Sequence, residues 1–540
     1  MRRRPFGRHG TAAGGGSDGP GSDGPGSRGG ADGRGTDKGG TDGYDAQAAA
    51  APRRVGGRVP GAGPADHRFG TVIAVGLTGD GRPHRSGAGT LLGALGLAGL
   101  AATGQTAILL ALGLAAGAGL LAVLIAAPGA GALALIAMAQ LDGVVEIANR
   151  ASPVSLFKLL SAATLAALAL LLARTKARTG RPAPSGPVVL SLFFALWVAL
   201  THFLSPMGAA GREQTIDLLS TLLLVPIIAL SLGTARDLDR AVLILAASGA
   251  ISALLVLLEA KGGIRLTPVI DAQDIADWRG EIRSSGGSAE NPTTAAQLIA
   301  VSFMVAVVMA LRDPARRWLW AALAGLCLMG LPLMGARSAI LATGTGLALL
   351  AWRYRRHPRF PLAMAACVAG GLALLPFVPA SLWERFDVLG DLFDGGNTSD
   401  RTLLRRISYN LIGLDLLSQN PVFGTGPGGF PQHYAGADYR WYPGRELMPR
   451  RLHNAYLEVA AETGLVGLGL FLGALGGAVT MALRAARGMG AAAARASALG
   501  HALVVFLVAS LFMPNEDIKY LWILVALCAK AAWLARKDPA

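Results

Sequence analysis

The chain has 540 residues, 52% hydrophobic and only 15% charged, with a mean hydropathy of +0.46. Soluble domains carry roughly 25% charge, so this composition excludes an ordinary water-soluble enzyme and predicts helices that face lipid and one another. The net charge of +15 does not indicate a nucleic-acid partner, because the basic residues sit in the N-terminal tail and in short clusters between apolar runs. Cys327, Cys367 and Cys528 each fall inside an apolar segment and read as small core residues.

Residues 1–85 form a Gly-rich stretch, GGGSDGPGSDGPGSRGG and onward, with few aliphatic residues larger than alanine. Such a segment cannot bury enough surface to offset its ordering entropy, so it is predicted to be a disordered cytoplasmic tail. No secretory apolar region follows the initial Met-Arg-Arg-Arg, so a cleaved signal peptide is not expected.

Residues 86–540 read as a transmembrane domain of about fourteen spans, each needing roughly 20 apolar residues. The predicted spans are 88–103, 105–126, 128–141, 155–174, 188–205, 215–232, 241–259, 294–311, 318–334, 337–352, 360–378, 464–485, 497–513 and 519–535. The first three are Ala/Gly-rich, separated by little more than Thr103-Gly104 and Pro128-Gly129, and are three crossings or two.

With the N-terminus inside, one set of connections holds Arg174, Lys176 and Arg178; Arg236 and Arg240; Arg312, Arg316 and Arg317; Arg353, Arg355 and Arg356; and Arg484, Arg487 and Arg495. The opposite short connections carry Asp142 and Glu146, or Glu516 and Asp517. That asymmetry obeys the positive-inside rule. Two connections are too long to be mere links, residues 260–293 and 379–463, and both are expected outside, where long polar loops carry function.

The larger loop begins with an amphipathic stretch, Ser381 to Phe393, and a helix is predicted at about 400–418. Leu403, Ile407, Leu411 and Leu414 recur at helical spacing and give that helix one apolar face. Arg401 and Arg405, four apart, share a different stripe. Residues 424–429 satisfy G-x-G-x-x-G, but no strand precedes them and Pro431 follows, so a dinucleotide site is rejected. The glycines instead suggest backbone brought close to a ligand or to another helix. Arg450-Arg451-Leu452-His453-Asn454 then leads into a helix from Tyr456 to Thr463, with Asn454 as N-cap and Gly464 as the turn into the next span. In the smaller loop, Arg283 precedes Asn291-Pro292, an N-cap and first helical residue. Arg337 stands where hydrocarbon begins, as a snorkelling anchor or part of a site.

Arginines from three chain regions and one histidine are thus expected at one membrane surface. Arginine holds a diphosphate in fixed bidentate geometry, and histidine titrates near the pH at which a hydroxyl must lose its proton. No dense Asp/Glu/His cluster offers a metal site, so metal-independent chemistry with no cofactor is expected.

At these residues the sequence resembles the O-antigen ligase/polymerase superfamily. The resemblance rests on R-S-S-G…N-P before a span, Gly335-Ala336-Arg337-Ser338, S-D-R with N-P-V-F-G-T-G-P-G-G-F, and H-N-A-Y-L-E…E-T-G-L-V-G, together covering roughly residues 280–475. It implies an all-α C-type glycosyltransferase-like bundle of about 12–14 transmembrane helices with a large extracytoplasmic helical loop. It also implies inverting transfer of a polyprenyl-diphosphate-linked glycan to a glycan, lipid or protein acceptor in the inner membrane. His453 matches the family's essential histidine, Arg401 looks like the arginine that holds the diphosphate, and Arg283 resembles the arginine before the N-P span start. Arg405 stands where the family often has an aromatic residue, so it shares or replaces the task of Arg401. Arg337, Arg450, Asn454 and Tyr456 join the expected substrate-binding set. Polysaccharide polymerisation remains open within the family. A glycolipid or solute transporter predicts internal repeats and charged mid-span residues, and neither is evident.

Overall fold

The computed structural model describes residues 117–150, 155–174, 185–266, 283–287, 291–356, 358, 360–374, 401–444 and 448–537. The predicted tail, the 88–103 span and the 381–393 stretch lie outside the described residues. Among those described the fold is all α, without a strand. Eight helices are long and apolar enough to cross a membrane, or nine if one bent pair counts as a span. The protein is therefore an all-α polytopic membrane protein.

The bent pair lies in the region expected to hold three crossings or two. Helix α1 (Gly117–Ala126) and α2 (Pro128–Gln140) meet at 111°, so 105–126 and 128–141 do not stack as separate straight crossings. Ala127 leaves the helical region just before Pro128, whose missing N–H suits it only to a helix start. A short α3 (Asp142–Asn149) and the span α4 (Leu156–Arg174) follow. The span expected at 215–232 falls within the candidate span Gly208–Ser231: after α5 (Gly186–Leu204) come α6 (Arg212–Leu222) and α7 (Leu224–Ser231), with a local break at Leu223. Pro226 explains the break, since its ring crowds the carbonyl four residues earlier, that of Leu222.

Further helices appear where apolar runs predicted spans. Of these, α8 (Ala235–Gly262), α9 (Pro292–Arg312), α10 (Arg317–Gly330, with its flanking turns) and, beyond the large loop, α15 (Ala455–Ala485) and α16 (Gly490–Ala509) have the length and hydropathy of a span, whereas α11 (Arg337–Tyr354), α12 (Phe360–Leu374) and α17 (Lys519–Lys537) are helices outside that set. The Asn291 side chain accepts from Thr293 N at 2.8 Å and Pro292 takes the first helical position, as expected. Helices α9, α16 and α17 form the centre, with Ile299, Met304, Leu503 and Tyr520 to Ala526 fully buried. Polar contacts inside this apolar mass fix its register. Gln140, Ser248, Ser302 and the Tyr520 hydroxyl share one buried hydrogen-bonded knot, with Ser248 Oγ 2.7 Å from Gln140 Oε1.

The basic clusters gather at the Ala485 end of α15. Arg312 donates to the carbonyls of Ala486, Ala493 and Gly488, and Arg353 to that of Ala486. The carbonyls of Ala486 and Gly488 lie at and just beyond the C-terminus of α15, where intrahelical partners run out, so arginine both satisfies and electrostatically complements them. His453 stands at the other end of α15.

The large loop contributes α13 (Arg401–Gln419) and α14 (Gly429–Ala435). They carry a second, separate apolar cluster of Tyr409, Ile412, Leu416, Phe430, Tyr434, Tyr439, Leu452 and Ala461. The apolar stripe expected on α13 is not the face that this cluster uses. Ile407, Leu411 and Leu414 are exposed, while Ser408, Tyr409, Ile412 and Leu416 face the cap core.

Candidate functional site

The site is built around an unusual backbone. His453 has φ +63°, and no other described non-glycine residue has positive φ. A side chain in that region is costly and persists only where its surroundings over-determine it. Those surroundings are identifiable. On one side, Leu452 N donates to Glu458 Oε2 at 3.1 Å. On the other, Asn454 caps α15 through Tyr456 N and Leu457 N, and Ala455 N donates to the carbonyls of Ser510 and Met513. The turn is clamped both before and after the histidine.

Arg451 supplies the strongest clamp. Its Nε donates to Glu458 Oε1 at 2.8 Å and its Nη1 to Asp517 Oδ2 at 2.6 Å, while Nη2 pairs with Glu516. Burial alone would lower its pKa, but the carboxylates of Asp517 and Glu458 outweigh that and raise it. Sequence reading passed over Arg451. Two of the three acidic residues that fix it lie in the 510–518 turn, where Glu516-Asp517 served only as a topology signal.

The imidazole of His453 packs edge-on against Tyr409, 5.4 Å between centroids. Tyr409 in turn meets Tyr434 at 5.1 Å and Phe430 at 6.3 Å. Nδ1 of His453 is sealed from solvent and meets no hydrogen-bond partner among the described residues. Burial first, then the positive charges of Arg406, Arg451, Arg450 and Arg405, push its pKa down from 6.5 to about 3. The ring is thus neutral, held in a field of guanidinium groups.

The expected residues divide accordingly. Arg405 and Arg450 act electrostatically on His453, joined by Arg406, which is outside the expected set. Arg405 also reaches the Gly444 carbonyl at 3.5 Å. Arg401 begins α13 one turn before Arg405. Arg283 is engaged elsewhere: its Nη2 donates to Met334 O at 2.7 Å, and its guanidinium reaches Thr293 Oγ1 at 3.5 Å. It ties the smaller loop to the turn before α11, near the half-buried Arg337. Asn454 is occupied as a cap, and the Tyr456 hydroxyl donates to Leu507 O at 2.6 Å. Those two side chains hold the α15 entrance in place.

The glycine-rich loop resolves as backbone against backbone. Thr425 N and Gly426 N donate to the carbonyls of Ala461 and Glu462 at 2.9 and 2.8 Å, and Leu465 N to Pro421 O at 2.8 Å. Gly464, at φ +70° and ψ −177°, breaks α15 there, and any Cβ on it would collide with the Val422 carbonyl. The Glu462 carboxylate accepts from Phe430 N at 3.2 Å and from Gln214 Nε2 at 3.0 Å, joining loop, cap and α6. Among the described residues, no group of three His, Cys, Asp or Glu is arranged to hold a metal ion.

The family model described as O-Antigen ligase matches residues 322–472, a stretch that contains His453, the cap and every expected site residue except Arg283. Over those residues the chain is similar to the O-antigen ligase family. No curated protein matches the chain. The ligase-like segment thus runs from within α10, through the large loop, past the Gly464 break into α15.

Proposed function

We propose that this protein transfers a glycan from a polyprenyl diphosphate carrier to an acceptor hydroxyl at the extracytoplasmic face of the inner membrane, in cell-surface polysaccharide synthesis. Ligation and polymerisation share that step. The observation that carries the reading is the buried, partnerless Nδ1 of His453 in the field of Arg405, Arg406, Arg450 and Arg451. Arg451 is already matched by three carboxylates, so the charge of Arg405, Arg406 and Arg450 is what suits an anion of high charge density, and a diphosphate is one.

In the reaction the acceptor oxygen bonds to the anomeric carbon from the face opposite the leaving group, inverting it. The bond from that carbon to the diphosphate oxygen breaks, and its electron pair leaves with the diphosphate. The acceptor proton passes to His453. Arginine charge stabilises the negative charge that develops on the leaving group, a contribution worth most in a site sealed from water. Arg405 and Arg406 are assigned to the diphosphate together with Arg401, one turn earlier on α13. Sidedness is supported by the arginines clustered at the Ala485 end of α15, which the positive-inside rule assigns to the cytoplasm.

The test is glycan transfer from lipid carrier in membranes. His453→Ala is expected to lose about 10²–10⁴-fold in rate, the usual worth of a positioned base. Arg405→Ala and Arg406→Ala are expected to raise the donor KM and lower kcat together. Unchanged transfer by His453→Ala in a properly inserted protein discards the mechanism.

A further inference from the structure

The exposed stripe of α13 has a physical explanation that does not depend on the reaction. Ile407, Leu411 and Leu414 lie four and three residues apart and are exposed, Leu414 at 54%. The Gly424 N–H donates to Asn420 O at 2.9 Å, continuing the helical sense beyond α13. This brings Val422, also exposed, on to the same stripe. The opposite face of α13 is filled by the cap core, so this side is apolar without a protein partner among the described residues.

What lies beside it is visible at the C-terminal end. Phe423 stacks on Trp197, 5.3 Å between centroids and 11° between planes, and Trp197 Nε1 donates to Thr463 O at 2.8 Å. Trp197 belongs to α5, a span, seven residues before its last residue, Leu204. Seven residues of helix rise about 10 Å. Phe193, Leu196, Leu200 and Phe203 are exposed around that indole with the spacing of one helix face, the face a span turns to lipid. Phe423 therefore sits about 10 Å below the Leu204 end, against a lipid-facing helix.

We propose that α13 lies in the membrane leaflet at the Leu204 end of α5, with Ile407, Leu411, Leu414 and Val422 against acyl chains. An amphipathic helix whose exposed side is apolar apart from Ser418, which donates its hydroxyl to the Asp415 carbonyl, and whose polar edges hold Asn410 and Gln419 fits the plane of a bilayer interface. An apolar stripe this long in water is an association hazard, whereas here it continues a surface already facing lipid. The same helix carries Tyr409, Arg405 and Arg406, so the leaflet itself fixes the height of the groups around His453.

Spin labels test this in the full chain, reconstituted into phosphatidylethanolamine/phosphatidylglycerol vesicles with Cys327, Cys367 and Cys528 replaced by alanine. Labels at Leu411→Cys and Leu414→Cys are expected to collide with oxygen and to avoid a water-soluble nickel chelate. Their oxygen-to-nickel ratio should fall within about twofold of that at Leu196→Cys on the lipid face of α5. A ratio favouring the chelate, or labels shielded from both reagents by another chain segment or a second copy, overturns the proposal. The labelled positions are exposed, so the probe enters no packed core. Val422→Cys reads the same surface should either labelled protein fail to insert.

Discussion

The ring of Tyr409 meets the ring of His453 edge-on, at 5.4 Å and 76°, and joins a residue of the cap to one at the entrance of a membrane span. Tyr409 is 1% exposed. Tyr409→Ala is expected to destabilise the cap by about 3–5 kcal/mol, the usual cost of deleting a buried aromatic ring. Tyr409→Phe keeps the ring contact and is expected to retain most of the stability. Thermal unfolding in detergent, read beside transfer activity, separates the two.

Arg451 faces three carboxylates, and removing it leaves buried Glu458 and Glu516 without their cation. Arg451→Ala is expected to cost about 3–5 kcal/mol. Arg451→Lys restores a charge but not a fork that reaches three separate carboxylates, so a partial loss is expected. Denaturant unfolding of both variants checks the order.

The pH dependence follows from the depressed pKa of His453. Its folded value, about 3, lies below the ordinary 6.5. Above pH 6.5 neither folded nor unfolded chain carries that proton, and the two do not differ. As pH falls from 6.5 towards 3, the unfolded chain binds a proton that the folded chain refuses, so stability declines. His453→Asn is expected to remove that part of the decline, measured by unfolding at a series of pH values. In activity, a bound diphosphate offsets the arginine charge and raises the histidine's pKa. The acid limb of kcat should therefore lie at higher pH than that of kcat/KM.

Gly464→Ala tests the docking of the glycine loop. The substitution imposes a Cβ at φ +70° and drives it into the Val422 carbonyl, so a loss of more than about 1 kcal/mol is expected. Gly476→Ala is the control, since a Cβ there meets open space. Unfolding temperatures compare the two.

Much of this architecture is legible in the residues. Apolar run length places the spans, and the caps at Asn291 and Asn454 and the break at Gly464 follow from local chemistry that needs no partner. What escapes is set by tertiary contact. The apolar stripe of α13 does not reveal whether lipid or protein covers it. Arg451 is indistinguishable from Arg450 in the sequence, because what separates them is a turn more than sixty residues away. Arg283 matches a family position, yet its guanidinium goes to a backbone carbonyl fifty-one residues on, a choice no local signal encodes.

The backbone contact between residues 421–426 and 461–465 also limits how this protein can be recombined. Because main chain meets main chain there, tolerance depends on both segments having small residues at matched positions, Gly424 on one side and Gly464 on the other. A cap transplanted from a relative with another acceptor preference must bring both strips as one cassette. A graft cut between them would join two surfaces that were never fitted to each other.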